Sequence, residues 1–129
     1  MVINGGIGYS KLETDVRITN FSIYETNNVI SNYESFGKNT VSMSLDFNGA
    51  DGYIIYRIEV TNYSDNSMGI FNITGMPSDL SFEVIDYNLG ERLCDKFGNC
   101  GLLTKKEFYI KIVCNIDSNI TLNFDFRPF

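Results

Sequence analysis

Three cysteines are the first residues in this chain able to do chemistry. Cys94 and Cys100 bracket a short loop, CDKFGNC, in which Gly98 and Asn99 let the chain turn back on itself. That spacing lets the two sulfurs meet, and the reading it favours is a loop-stapling disulfide formed in an oxidising compartment. A ring this short would contribute only ~2–3 kcal/mol, mainly by ordering the loop. Two free thiols in a cytosolic loop are one alternative. A zinc site is another, but there is no His and no Cys-x-x-Cys pair, and Cys114 would have to supply a ligand from inside the core. Cys114 lies on an alternating apolar row and reads as a small buried hydrophobe.

Carboxylates offer two further chemistries. Asp46, Asn48 and Asp51 bring three oxygen-bearing side chains into one loop, as calcium requires. Position 50 is Ala, however, and the next Glu, Glu59, falls inside a strand, so a tight turn explains the loop better. Asp65-Asn66-Ser67 is a weaker group of the same kind. A glycosidase needs two carboxyls roughly 5–10 Å apart in a cleft. Glu59, Glu83, Asp86, Glu107 and Asp125 fall on outward strand positions or strand ends and read as a solvated face. The chain has no His, which excludes Ser-His-Asp and Cys-His sites and imidazole metal ligands. The expectation is a protein that is not an enzyme and carries no cofactor and no metal.

A binding surface is the remaining possibility. Tyr53, Ile55, Arg57 and Glu59 form the outward row of one strand, and Tyr109, Lys111 and Val113 that of another. In an immunoglobulin-like sandwich these two strands are neighbours in one sheet, which puts Tyr53, Ile55, Tyr109, Lys111 and Val113 on one open face. Exposed apolar patches mark partner surfaces, and tyrosines can stack on sugar rings while their hydroxyls hydrogen-bond. The alternative is cross-strand pairing that only stabilises the sheet, at ~0.2–1 kcal/mol per pair.

These residues must be positioned by strands. The 129 residues suffice for one domain, and Val, Ile, Thr, Tyr and Phe, which favour pleated surfaces, are abundant. Residues 1–14 read as a loose lead-in, with a short strand near Gly8 to Leu12, and 15–129 as the domain. Asp15–Tyr24 is a strand whose apolar row slips by one residue, which predicts a β-bulge near Asn20. Glu25 to Asn39 reads as a long connection and Thr40–Phe47 as a strand. Asn48 to Gly52 reads as a tight hairpin loop. Tyr53–Thr61, Ser67–Thr74 and Leu80–Tyr87 are strands, and Asn88 to Leu103 is a long loop. Thr104 to Arg127 reads as a last hairpin: Phe108, Ile110, Ile112 and Cys114 alternate with polar or outward residues, as do Ile120, Leu122, Phe124 and Phe126. No helix pattern occurs. About seven short antiparallel strands predict an all-β, immunoglobulin-like two-sheet sandwich. The chain lacks Trp, and with it one hallmark of antibody-type domains, so the inference is to the architecture.

The formal net charge is −6 and the pI near 4.5, which argues against nucleic acid and against docking on anionic lipid. No apolar run is long enough for direct membrane insertion. MVINGGIGYS does not read as an export signal. The chain is then either cytoplasmic or an exported domain whose signal lies outside this sequence.

Tyr56-Arg57-Ile58-Glu59-Val60-Thr61-Asn62, followed by Ile73-Thr74-Gly75 and by the T-x-x-x-F-x-I-x-I spacing of Thr104 to Ile112, resembles the Ig-like modules of low-GC Gram-positive bacteria, found in secreted or cell-wall-anchored surface proteins. The likeness spans roughly residues 15–127. It implies an extracellular, cell-surface location and a non-catalytic structural or adhesive role, with no catalytic residue to transfer. Some such domains carry Lys–Asn isopeptide bonds; none is expected here, because no Lys reads as inward. A carbohydrate-binding accessory module, or a fibre or virion subunit assembling by edge-strand exchange, are the alternatives. The partners expected are a protein or glycan on the sheet face, and neighbouring domains or fibre subunits.

Overall fold

The computed structural model describes residues 15–129; the lead-in expected over 1–14, with its short strand, lies outside the described residues. Eight strands follow: β1 (Val16–Asn27), β2 (Val29–Phe36), β3 (Thr40–Phe47), β4 (Tyr53–Asn62), β5 (Met68–Thr74), β6 (Ser81–Ile85), β7 (Lys105–Val113) and β8 (Ser118–Pro128). They form two four-stranded antiparallel sheets. Sheet I has the order β1-β4-β7-β6, and sheet II the order β2-β3-β8-β5.

Alternation dictates the core. Ile54, Tyr56, Ile58 and Val60 of β4 and Phe108, Ile110 and Ile112 of β7 are buried from sheet I. Val41, Met43 and Leu45 of β3 and Ile120, Leu122 and Phe124 of β8 meet them from sheet II. These are the inward rows read from period-2 patterning.

Thr104 to Arg127 is not a hairpin, contrary to expectation. β7 lies in sheet I and β8 in sheet II, so their apolar rows face one another across the core. The Phe108 and Phe124 rings stand 6.5 Å apart there. Asn48 to Gly52 is likewise no hairpin loop, because it carries the chain from β3 in sheet II to β4 in sheet I. Alternation specifies which side chains face the core, and a hairpin and an inter-sheet arch satisfy it equally. The corner at Asn48–Gly52 is stitched to the one where β1 passes into β2, at Asn28 (φ 54°). The Asn48 N–H donates to Asn28 O at 2.8 Å, and Asn28 Nδ2 donates to Ala50 O at 2.7 Å.

Residues Glu25 to Asn39 are not a loose connection. They complete β1 and form β2, which pairs with β3 through a true hairpin; hence eight strands instead of about seven. In β2 only Val29 is buried, so little core-facing alternation marks it in the sequence. The bulge expected near Asn20 is present, as a register shift between Ile18 and Asn20.

Each edge strand is guarded against stray pairing. β1 carries two register shifts, and its Ile18 N–H takes the Lys38 carbonyl at 2.8 Å. β2 has one shift, and beyond it sets Glu34 opposite the core residue Met43. β6 is only five residues long and includes Glu83. β5 is strapped by the chain after β6: Gly90 N–H bonds to Ile70 O at 2.8 Å and Leu93 N–H to Met68 O at 2.7 Å. Buried Tyr87 anchors that strap. Its hydroxyl accepts from Ile70 N–H at 2.9 Å and donates to Glu91 O.

Asn62, which closes the Tyr56–Asn62 run, is fully buried with all its polar groups paired. Its N–H donates to Thr104 O at 2.9 Å and its O accepts from Leu103 N–H at 2.6 Å. Its side chain bonds Asn66 O and Ser64 N–H, both at 2.8 Å. Asn62 is therefore a corner post joining β4 to the approaches of β5 and β7.

Candidate interaction face

β4 and β7 are neighbours in sheet I, with Tyr53 opposite Val113, Ile55 opposite Lys111 and Arg57 opposite Tyr109. All five residues singled out for a binding face therefore come together on the outer surface of sheet I. β6 extends it, setting Glu83 beside Lys111 and Ile85 beside Tyr109.

Tyr24 joins them. A second bulge in β1, between Ile23 and Glu25, turns its ring onto that of Tyr109, with centroids 4.8 Å apart. The Arg57 guanidinium lies 5.1 Å from the Tyr24 ring and 6.0 Å from the Tyr109 ring, which is cation–π geometry. Its Nε is shielded from solvent without a hydrogen-bond partner, and the nearest carboxylate, Glu107, is 4.0 Å away. Lys111 Nζ sits 4.7 Å from the Tyr53 ring. Sequence reading missed Tyr24 because the distal half of β1 is exposed, so no apolar alternation survives there to reveal a second phase slip.

Two carboxylates on this face, Glu25 and Glu59, are already hydrogen-bonded. The Tyr53 hydroxyl donates to Glu25, and that hydrogen bond raises its pKa above the ordinary tyrosine value. Glu59 accepts from Thr19 Oγ1 at 2.7 Å. Glu59 and Glu107 are cross-strand neighbours, but they stand on an open sheet with Thr19 and Arg57 as partners. What the arrangement can do is present fixed aromatic faces and two cations, Arg57 and Lys111, to a ligand. Tyrosine stacking keeps both cations partly desolvated.

The three cysteines separate as expected. Cys94 and Cys100 are bonded to each other, and Cys114 is free and buried. The Cys114 thiol donates to Ile116 O at 3.0 Å, and burial pushes its pKa up. Within the stapled loop the Asp95 carboxylate accepts the N–H of Phe97 at 2.8 Å and of Asn99 at 3.0 Å. Hydrogen bonding, led by the Asn99 N–H, holds that carboxyl below its ordinary pKa. Phe97 stands at the loop's tip, 79% exposed. In the acidic loop considered for calcium, the Ala50 and Asp51 carbonyls accept from Asn28 and Asn27 side chains. No protein-family model, curated protein or solved structure matches this chain.

Proposed function

We propose that this chain is a non-catalytic structural or adhesive module of an extracellular surface protein, which displays the outer face of sheet I to a partner. The observation that carries the reading is the Tyr24–Arg57–Tyr109 stack with Tyr53 and Lys111 beside it. Exposed patches of large apolar and aromatic side chains mark partner surfaces. The Cys94–Cys100 bond supports an oxidising setting.

The immunoglobulin-like assignment draws on strand neighbours. If β1, β4, β5, β6, β7 and β8 are taken as strands A to F, sheet I has the order A-B-E-D and β5 adjoins β8 as C adjoins F. The β2–β3 hairpin then stands where strand G would. Bacterial surface modules remain the class this chain resembles, through Tyr56 to Asn62, Ile73 to Gly75 and the spacing of Thr104 to Ile112.

A carbohydrate-binding role is the second reading, favoured by three tyrosines on one flat face. Assembly by edge-strand exchange draws less support, because β1, β2, β5 and β6 all carry guards. A binding screen over glycans and matrix proteins discriminates among these, run with the native chain and with a Tyr24→Ala/Arg57→Ala/Tyr109→Ala variant of unchanged Tm. The adhesive reading expects a protein ligand, and the carbohydrate reading a glycan, in each case lost in the variant. Equal retention by both chains would sink the face as the contact site.

A further inference from the structure

The first residues of β7, together with the disulfide loop, make a second surface. β6 stops pairing at Ile85, opposite Tyr109, whereas β7 begins at Lys105. Lys105 to Phe108 are thus paired with β4 on one flank only. Among the described residues, no backbone hydrogen bond from 86–104 reaches the other flank. A groove lies against this strand end, lined by Asp95, Lys96 and Phe97 from the loop and by Lys105, Lys106 and Glu107 from the strand. Successive strand residues point to opposite faces, so a groove that touches three in a row runs along the flank. Such a flank offers alternate N–H and C=O groups to which an extended segment can add as a strand.

Charge narrows the occupant. Lys96, Lys105 and Lys106 surround the groove in a chain of net charge −6. Among the described residues none of the three ion-pairs with a carboxylate. Of the two carboxylates present, Asp95 is engaged by loop N–H groups, and Glu107 stands on the opposite face from Lys106, 4.0 Å from Arg57 Nε. Lys106 continues the inward row one step past Phe108, opposite Val60, and is half-buried; the reading that no Lys lies on an inward row is corrected here. A cation on that row repels a basic strand, is left without a counter-charge beneath an uncharged one, and is neutralised by an acidic one. Phe97 supplies the apolar contact on a loop held by the disulfide and by Asp95.

We propose that this groove takes an extended acidic peptide segment of a partner protein as a strand added along β7. Its carboxylates meet Lys96, Lys105 and Lys106, and one apolar side chain meets Phe97. This goes beyond the tyrosine face, and neither surface depends on the other.

The test is an NMR titration of the isotope-labelled chain at low salt with two short peptides, one of Glu residues around a single Val and one of Lys residues around a single Val, so that charges stand on both faces of the added strand. The acidic peptide is expected to shift amides between residues 94 and 108, and to bind more weakly as salt rises. Phe97→Ala and the triple variant Lys96→Gln/Lys105→Gln/Lys106→Gln each lower affinity about tenfold. Lys96, Phe97 and Lys105 are exposed and Lys106 is half-buried at the end of its row, and the rest of the spectrum reports whether the fold is kept. Absence of shifts at about millimolar peptide, where even weak complexes form, would overturn the proposal. An equal response to the basic peptide, or shifts centred on Tyr24, Arg57 and Tyr109, would do the same. Shifts of the groove residues with phosphatidylglycerol vesicles but not with the acidic peptide would make it a lipid contact and also overturn it.

Discussion

The Tyr56 hydroxyl crosses the core from β4 in sheet I to the Ser31 hydroxyl on β2 in sheet II, 2.9 Å away. It is a polar tie in an apolar interior. Burial pushes the Tyr56 pKa up to about 12, and the hydrogen bond to Ser31 offsets part of that effect. A folded-state value above the ordinary 10.0 means that the fold favours the protonated phenol. The resulting stability is fully present below pH 10.0 and is lost as pH rises to about 12. Denaturant titrations across that window are expected to show a falling unfolding free energy. In Tyr56→Phe that fall is shallower, with the rest left to Tyr53 and Tyr87, whose values are also raised. At neutral pH the substitution costs about 1 kcal/mol, the net worth of one hydrogen bond. An identical pH slope in the two proteins would show that Tyr56 is not the group responsible.

At the scale of elements, the chain is a series of arches: five of the seven connections between successive strands pass from one sheet to the other. The corners at Asn48–Gly52 and after Val113 meet where Cys114 N–H bonds to Gly52 O at 2.9 Å. A Cβ at Gly52 would stand 2.5 Å from Cys114 O and 2.9 Å from the Phe47 ring. Gly52→Ala is expected to destabilise by about 1–3 kcal/mol, as overpacking does, without altering the fold. A midpoint shift of the denaturation curve measures this, and no shift would mean that the two corners do not touch. The inward rows of β3, β4, β7 and β8 were legible in the sequence because strict alternation has a direct physical cause. Of the sheet partners, only β4 beside β7 followed, from sandwich topology; the others did not, because alternation is blind to which neighbour a strand takes. β2 escaped notice because burial of Val29 alone leaves no period to detect.

At the scale of the whole molecule, two rigid sheets display different things. Sheet I carries tyrosines and cations on its outer face. On sheet II, Ser42 and Thr121 stand opposite one another across β3 and β8, their hydroxyls 3.0 Å apart. The candidate face was half legible: Tyr53, Ile55, Tyr109, Lys111 and Val113 follow from two outward rows and the assumption that their strands adjoin. Tyr24 required a bulge in an exposed stretch, and the β7 flank required knowing that β6 is shorter than β7. Neither leaves a mark in composition or period. The proposed role outside the cell rests on the state of three thiols. The decisive measurement is a free-thiol count on denatured protein purified from the cells that make it. One free thiol, mapped to Cys114, is the result predicted by a Cys94–Cys100 bond formed in an oxidising compartment. Three free thiols would contradict it and return the chain to a reducing one.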